Sequence, residues 1–129
     1  MQKFTLWFGI VLLVIGVLGF VPGVTTDGSL LGIFDVDALH NVVHVLTGVI
    51  AIVVAKKSMD ASRMFLKVFG VVYGLVAIVG FAQGDTVLGL FGVNMADNVL
   101  HLVIAVLALW LGFKKDGSAA PAAPAAPQM

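Results

Sequence analysis

Four apolar runs, about Phe4–Val21, Ala38–Ala55, Met64–Phe81 and Met95–Phe113, occupy more than half of the chain and leave few folds open to it. Each holds roughly 18 residues, which as a helix rises about 27 Å and just crosses a hydrocarbon core of about 30 Å. Composition agrees. The 129 residues are 60% hydrophobic and 11% charged, with a mean hydropathy of +1.12, whereas a soluble domain is roughly half apolar and a quarter charged. The chain belongs in a bilayer.

The same composition excludes several functions. No cysteine is present, so there are no disulfides, thiolate metal sites or cysteine nucleophiles. Net charge is zero and no basic cluster is dense enough for nucleic acid. Ser58, Ser62 and Ser118 are expected on the side away from the histidines and Ser29 in a loop, which leaves no nucleophilic hydrolase arrangement. No phosphate-binding glycine loop or paired-carboxylate site is visible. Lys3 ahead of the first run suggests a signal peptide, but Phe20-Val21-Pro22-Gly23 offers no small-x-small cleavage site, and the run is expected to be retained.

Basic residues fall at Lys3, at Lys56, Lys57, Arg63 and Lys67, and at Lys114 and Lys115; the other two connections carry none. By the positive-inside rule both termini and the middle loop are cytoplasmic, with the loops around Thr25–Asp37 and Gln83–Asn94 outside.

The chain also repeats itself. Leu31-Gly32-Ile33-Phe34-Asp35-Val36-Asp37-Ala38-Leu39-His40-Asn41-Val42-Val43-His44 returns at an offset of 57 as Leu88-Gly89-Leu90-Phe91-Gly92-Val93-Asn94-Met95-Ala96-Asp97-Asn98-Val99-Leu100-His101. Phe8-Gly9 and Gly19-Phe20 return at an offset of 61 as Phe69-Gly70 and Gly80-Phe81, so the first outer loop is four residues longer. The expected fold is therefore all-α: a four-transmembrane-helix bundle built from two parallel helix-loop-helix repeats (about 4–55 and 64–113), with pseudo-twofold symmetry along the membrane normal. Residues 1–116 form the membrane domain, and the Ala/Pro-rich tail 117–129 is expected to be a disordered cytoplasmic end.

Within the second and fourth runs, Asn41, His44, Gly48, Ala51 and Ala55 match Asn98, His101, Ala105, Ala108 and Gly112. Spacings of three and four keep each set on one helix face. Small residues and hydrogen bonds drive helix association in lipid, so the stripe reads as a contact between helices two and four. Asp37 and Asn94 are N-cap residues. Asp97 sits at the third helical position, where a negative charge suits the helix dipole, and His40 is its equivalent. The outer apolar segments Leu30–Phe34 and Val87–Phe91 read as interfacial anchors.

Three readings of the polar residues follow. In the first, Asn41 and Asn98 bond His44 and His101 in a structural clamp. In the second, His40, His44, Asp97 and His101 form a four-ligand set for zinc or another divalent metal, the asparagines supporting it. In the third, His44 and His101 are axial ligands of a haem, although the outer loops hold no Lys or Arg for its propionates. A transport or proton-relay path is disfavoured because the cytoplasmic half of the stripe is only Ala51, Ala55, Ala108 and Gly112.

The doubled Leu-Gly-x-Phe-x-Val-[Asp/Asn]-x-x-[His/Asp]-Asn-x-x-His element, with its preceding Gly-x-x-Gly-Phe helix end, resembles a bacterial four-helix integral membrane family of unknown function, the DUF4383 type. The resemblance covers about residues 4 to 113 and implies a multi-pass bacterial plasma-membrane protein with Asn41, His44, Asn98 and His101 as recurring polar positions. It carries no activity. The expectation is a non-enzymatic structural or accessory protein without a cofactor, partnered by the lipid bilayer and by another membrane protein or a second copy. A metal- or haem-binding protein is the alternative.

Overall fold

A computed structural model describes residues 1–115; the tail expected to be disordered lies outside the described residues. Four helices dominate: α1 (Gln2–Leu18), α2 (Ala38–Lys57), α3 (Met59–Gln83) and α4 (Met95–Phe113). The last three are long and apolar enough to cross a membrane, and α1, with 17 residues, is a shorter apolar helix. Trp7, Leu46, Val53, Ile78, Val106 and Trp110 are exposed along the helices. Such an apolar exterior suits lipid; a soluble monomer rarely shows patches of that extent.

The starts of α2, α3 and α4 each have a side-chain cap. Asp37 accepts the backbone N–H of His40 at 2.9 Å and opens α2. Asn94 and Asp97 form a reciprocal capping box at α4. Ser58 ends α2 and caps α3 by accepting from Ala61 N, so the expected middle loop shrinks to one residue and Arg63 joins Lys67 within α3.

The interior is lined by small and polar residues more than by large apolar ones. A central cluster of Leu12, Leu66, Phe69, Tyr73, Ala105 and Ala108 holds α1, α3 and α4 together. The helices pair chiefly as α1 with α2 and α3 with α4. This corrects the reading of the small-residue stripe as a contact between helices two and four. A Cβ on Gly48 would meet Leu13 N at 2.6 Å and Gly9 O at 2.7 Å, so that stripe lets α2 close on α1. A Cβ on Gly112 would meet Lys67 N at 3.0 Å, and one on Gly70 would meet Leu109 N at 3.0 Å, so the second stripe closes α4 on α3. Where side chains shrink to hydrogen the backbones approach, and dispersion contacts gain what the hydrophobic effect does not supply in lipid.

The two connections at the far end from Ser58 are small β-hairpins. The first has three strands, β1 (Thr25–Thr26), β2 (Ser29–Leu30) and β3 (Phe34–Asp35); the second has two, β4 (Thr86–Val87) and β5 (Phe91–Gly92). The extra strand accounts for the longer first loop. Ser29 pairs with Asp35 and Leu30 with Phe34, as Thr86 pairs with Gly92 and Val87 with Phe91. Leu31 and Leu88 both have φ of 54°, and Gly32 and Gly89 both have φ of 69°. Two adjacent left-handed residues let so short a loop reverse the strand, and the second is glycine in each copy.

Candidate functional site

The hairpins and the helix starts are cross-bonded. Asp37 Oδ2 accepts the N–H of Gly92 in the second hairpin at 2.6 Å, and Asp97 Oδ2 accepts the N–H of Asp35 in the first at 3.0 Å. Asp35 and Gly92 are 57 positions apart, the offset of the repeat. Asn94 Nδ2 donates to Ile33 O at 2.8 Å and completes the connection between the loops. Asp97 also accepts from Asn94 N at 2.9 Å. Its carboxylate is thus committed to backbone donors, and it is not brought into the histidine cluster.

Beneath this layer His40, His44 and His101 converge. Each offers a ring nitrogen, and the three lie within 4.8 Å of one another. All three side chains are buried. Ring centroids are 4.6 Å apart for His40 and His44, 5.6 Å for His40 and His101, and 6.1 Å for His44 and His101. The four-residue spacing of His40 and His44 puts both on one face of α2, and α4 supplies His101 from across the bundle. The Nδ1 of His40 stands 3.1 Å from Gly92 O. A carbonyl only accepts, so Nδ1 carries the proton and donates, leaving the Nε2 lone pair turned into the cluster.

That Nε2, His44 Nε2 and His101 Nδ1 are buried with no hydrogen-bond partner. A buried polar atom left unpaired costs about 1–3 kcal/mol, and neutral imidazoles can present all three of these nitrogens as lone pairs to a common acceptor. Around the trio, Tyr73 stands edge-on to His101 at 5.4 Å and Phe91 lies 5.1 Å from His40. Neither aromatic was singled out from sequence, although Phe91 belongs to the repeated element. A cavity of about 190 Å³ borders the histidines, with Val43, Val72 and Val76 in its walls. It is too small for a porphyrin, and His40 lies within packing distance of both rings that would have to flank one.

The asparagines serve elsewhere. Among the described residues neither Asn41 nor Asn98 is hydrogen-bonded to a histidine, so the clamp is not formed as expected. Asn41 lies against Gly19 of the α1 end and Asn98 against Gly80 of α3. Both pairs hold the helices of one hairpin together at the hairpin end. The glycines are visible in sequence as the repeated pairs Gly19-Phe20 and Gly80-Phe81; their asparagine partners are not.

A helical bundle with an apolar exterior, polar cross-bonds at one end and a buried histidine trio defines a class of small helical proteins suited to a membrane. The chain belongs to the DUF4383 family, a domain of unknown function whose model matches residues 2–114. Neither a curated protein nor a solved structure matches it.

Proposed function

We propose that this chain is a small, non-enzymatic, multi-pass protein of the bacterial plasma membrane that binds a divalent transition-metal ion, zinc foremost, through His40, His44 and His101. The observation that carries this reading is the meeting of three buried imidazole nitrogens within 4.8 Å. A tetrahedral ion with metal–nitrogen bonds of about 2.0–2.1 Å needs its ligand nitrogens roughly 3.3 Å apart. Metal binding would then draw the nitrogens together by up to about 1.5 Å, with His44 and His101 moving toward a His40 ring held by Gly92 O. Imidazole is a borderline donor suited to zinc, copper, nickel or iron, and the bond from His40 Nδ1 to Gly92 O is the kind of outer support that fixes a ligating ring. The carboxylate of Asp37, at the head of the helix that bears His40 and His44, offsets part of the charge of the ion. The site lies in the outer half of the membrane with both termini cytoplasmic, because the Lys and Arg residues gather at the Ser58 end and the termini.

The test is metal titration of detergent-purified, chelator-treated protein, with cobalt(II) as a coloured substitute for zinc. One equivalent per chain, with the intense visible bands of a tetrahedral centre, is expected. His40→Ala, His44→Ala and His101→Ala should each abolish the bands. Absence of stoichiometric binding, or binding indifferent to all three substitutions, overturns the reading.

A further inference from the structure

The cavity beside the histidines is open on one side, and its mouth lies between the two helix hairpins. Val43 of α2 and Val72 and Val76 of α3 form its sides, Phe91 of β5 closes the hairpin end, and His40, His44 and His101 form its inner wall. Helices α2 and α3 follow one another through Ser58 alone, yet they pack far less than either hairpin does internally. The gap between them is therefore a feature of the fold. Val72 is half exposed at the rim, beside Val71 and Leu75 on the outward face of α3. A molecule entering here comes from the apolar band of the bundle rather than from its polar end.

Three histidines leave a tetrahedral ion one position short, and the open position must be filled by water or by a ligand. Apart from the histidines and Tyr73, the walls are valine and phenylalanine, which give water few partners. An engineered cavity of about 150 Å³ holds one benzene ring, so a space of about 190 Å³ accepts one ring-sized molecule. Resting on the proposed metal site, we infer that the cleft between α2 and α3 is a lateral entrance through which a small, neutral, lipid-soluble nitrogen or sulfur donor reaches the ion. The ligand class follows from the walls: an apolar body fits the valines, a single lone pair completes the coordination, and a charged group is left without a partner.

The experiment uses the cobalt-loaded protein in detergent. Titration with 1-methylimidazole, neutral at pH 8, is expected to shift the visible bands saturably, whereas imidazol-1-ylacetate, which has the same donor nitrogen and a carboxylate too far from it to chelate, should bind at least tenfold more weakly. Val72→Phe and Val76→Phe, which narrow the mouth without touching a histidine, should leave cobalt stoichiometry unchanged and weaken 1-methylimidazole at least tenfold. Val72 is half exposed, so the first variant tests the entrance even where the second fails to fold. Bands that ignore 1-methylimidazole, a carboxylate analogue that binds as well, or narrowing that has no effect overturns the entrance while leaving the metal site standing. A chain that takes up no cobalt overturns both.

Discussion

Asp97 offers the sharpest test of the cross-bonded hairpin end, independent of any metal. Its Oδ2 accepts two backbone donors, Asp35 N at 3.0 Å and Asn94 N at 2.9 Å, and the residue is 3% exposed. Truncation to alanine leaves both donors without that acceptor, and a hydrogen bond to a charged group contributes about 1.5–3 kcal/mol. Both donors sit near the surface of the loops, where water recovers part of the loss, so Asp97→Ala is expected to destabilise by about 2–4 kcal/mol. Asp97→Asn keeps an oxygen able to serve both donors and loses only the charge, whose interaction with the helix dipole is about 0.3–1 kcal/mol. A loss near 1 kcal/mol is expected there. Denaturation in mixed micelles, followed by circular dichroism, measures both values. Hydrogen exchange separates the two bonds: the Asp35 amide should lose protection in the alanine variant while the Gly92 amide, held by Asp37, keeps it. An alanine variant within 0.5 kcal/mol of the parent on the scale of ordinary surface substitutions, or one no worse than asparagine, refutes the reasoning.

Two glycines of α3 should respond in opposite directions to alanine. Gly80→Ala drives a methyl group into the Asn98 carboxamide and is expected to cost about 1–3 kcal/mol, whereas Gly74, whose added Cβ meets only Ala105 Cβ at 3.8 Å, should gain about 0.5–1 kcal/mol from helix propensity; paired denaturation curves read both. Gly48→Val sets a branched side chain against the Leu13 and Gly9 backbone and should separate α1 from α2. Its signature is loss of the cooperative transition or faster proteolysis of α1, and an unchanged transition argues against the close approach.

How much of this could be read from the sequence depends on whether the signal was local. Asn94 and Asp97 mark the start of α4 and Lys114 its end, so Met95–Phe113 was legible to the residue. The start of α3 was not. Arg63, just ahead of the apolar run that opens at Met64, reads as loop, but Ser58 caps a helix that carries both Arg63 and Lys67 on its first three turns, and long basic side chains can keep their stems on apolar surface while the charge reaches water. The two-residue strands are too short for alternation to show. The small-residue stripes announced that a backbone comes close without saying whose. Adjacent helices claimed them, since Gly9 in α1 and Gly70 in α3 supply the matching gaps. At the site, His40 and His44 follow from helical spacing, and His101 follows from the repeat. That all three meet depends on how the two hairpins dock, which no spacing within one helix encodes.

The difference between the two copies explains where the third histidine comes from. Each unit needs one carboxylate to hold the other unit's hairpin, at Asp35 N or Gly92 N. In the second unit Asp97, the third residue of its helix, does this and also caps, with Asn94 completing the box. In the first unit the carboxylate has moved to the cap itself: Asp37 holds both His40 N and Gly92 N through its two oxygens. Position 40 is then released from capping and is free to hold an imidazole. Exchanging the roles, by Asp37→Asn with His40→Asp, should rebuild the arrangement of the second unit. The double variant is expected to fold with stability within about 1 kcal/mol of the parent, the range of tolerated substitutions. His40→Asp alone sets a second carboxylate beside Asp37 and should cost more than the double variant, a coupling that a double-mutant cycle measures directly. Cobalt binding should fall at least tenfold in the double variant, because the carboxylate at position 40 is engaged by the loop as Asp97 is. If the two substitutions simply add in their effect on stability, the carboxylates do not exchange roles and this account of the asymmetry fails; if the double variant is stable and still binds cobalt fully, His40 is not a ligand.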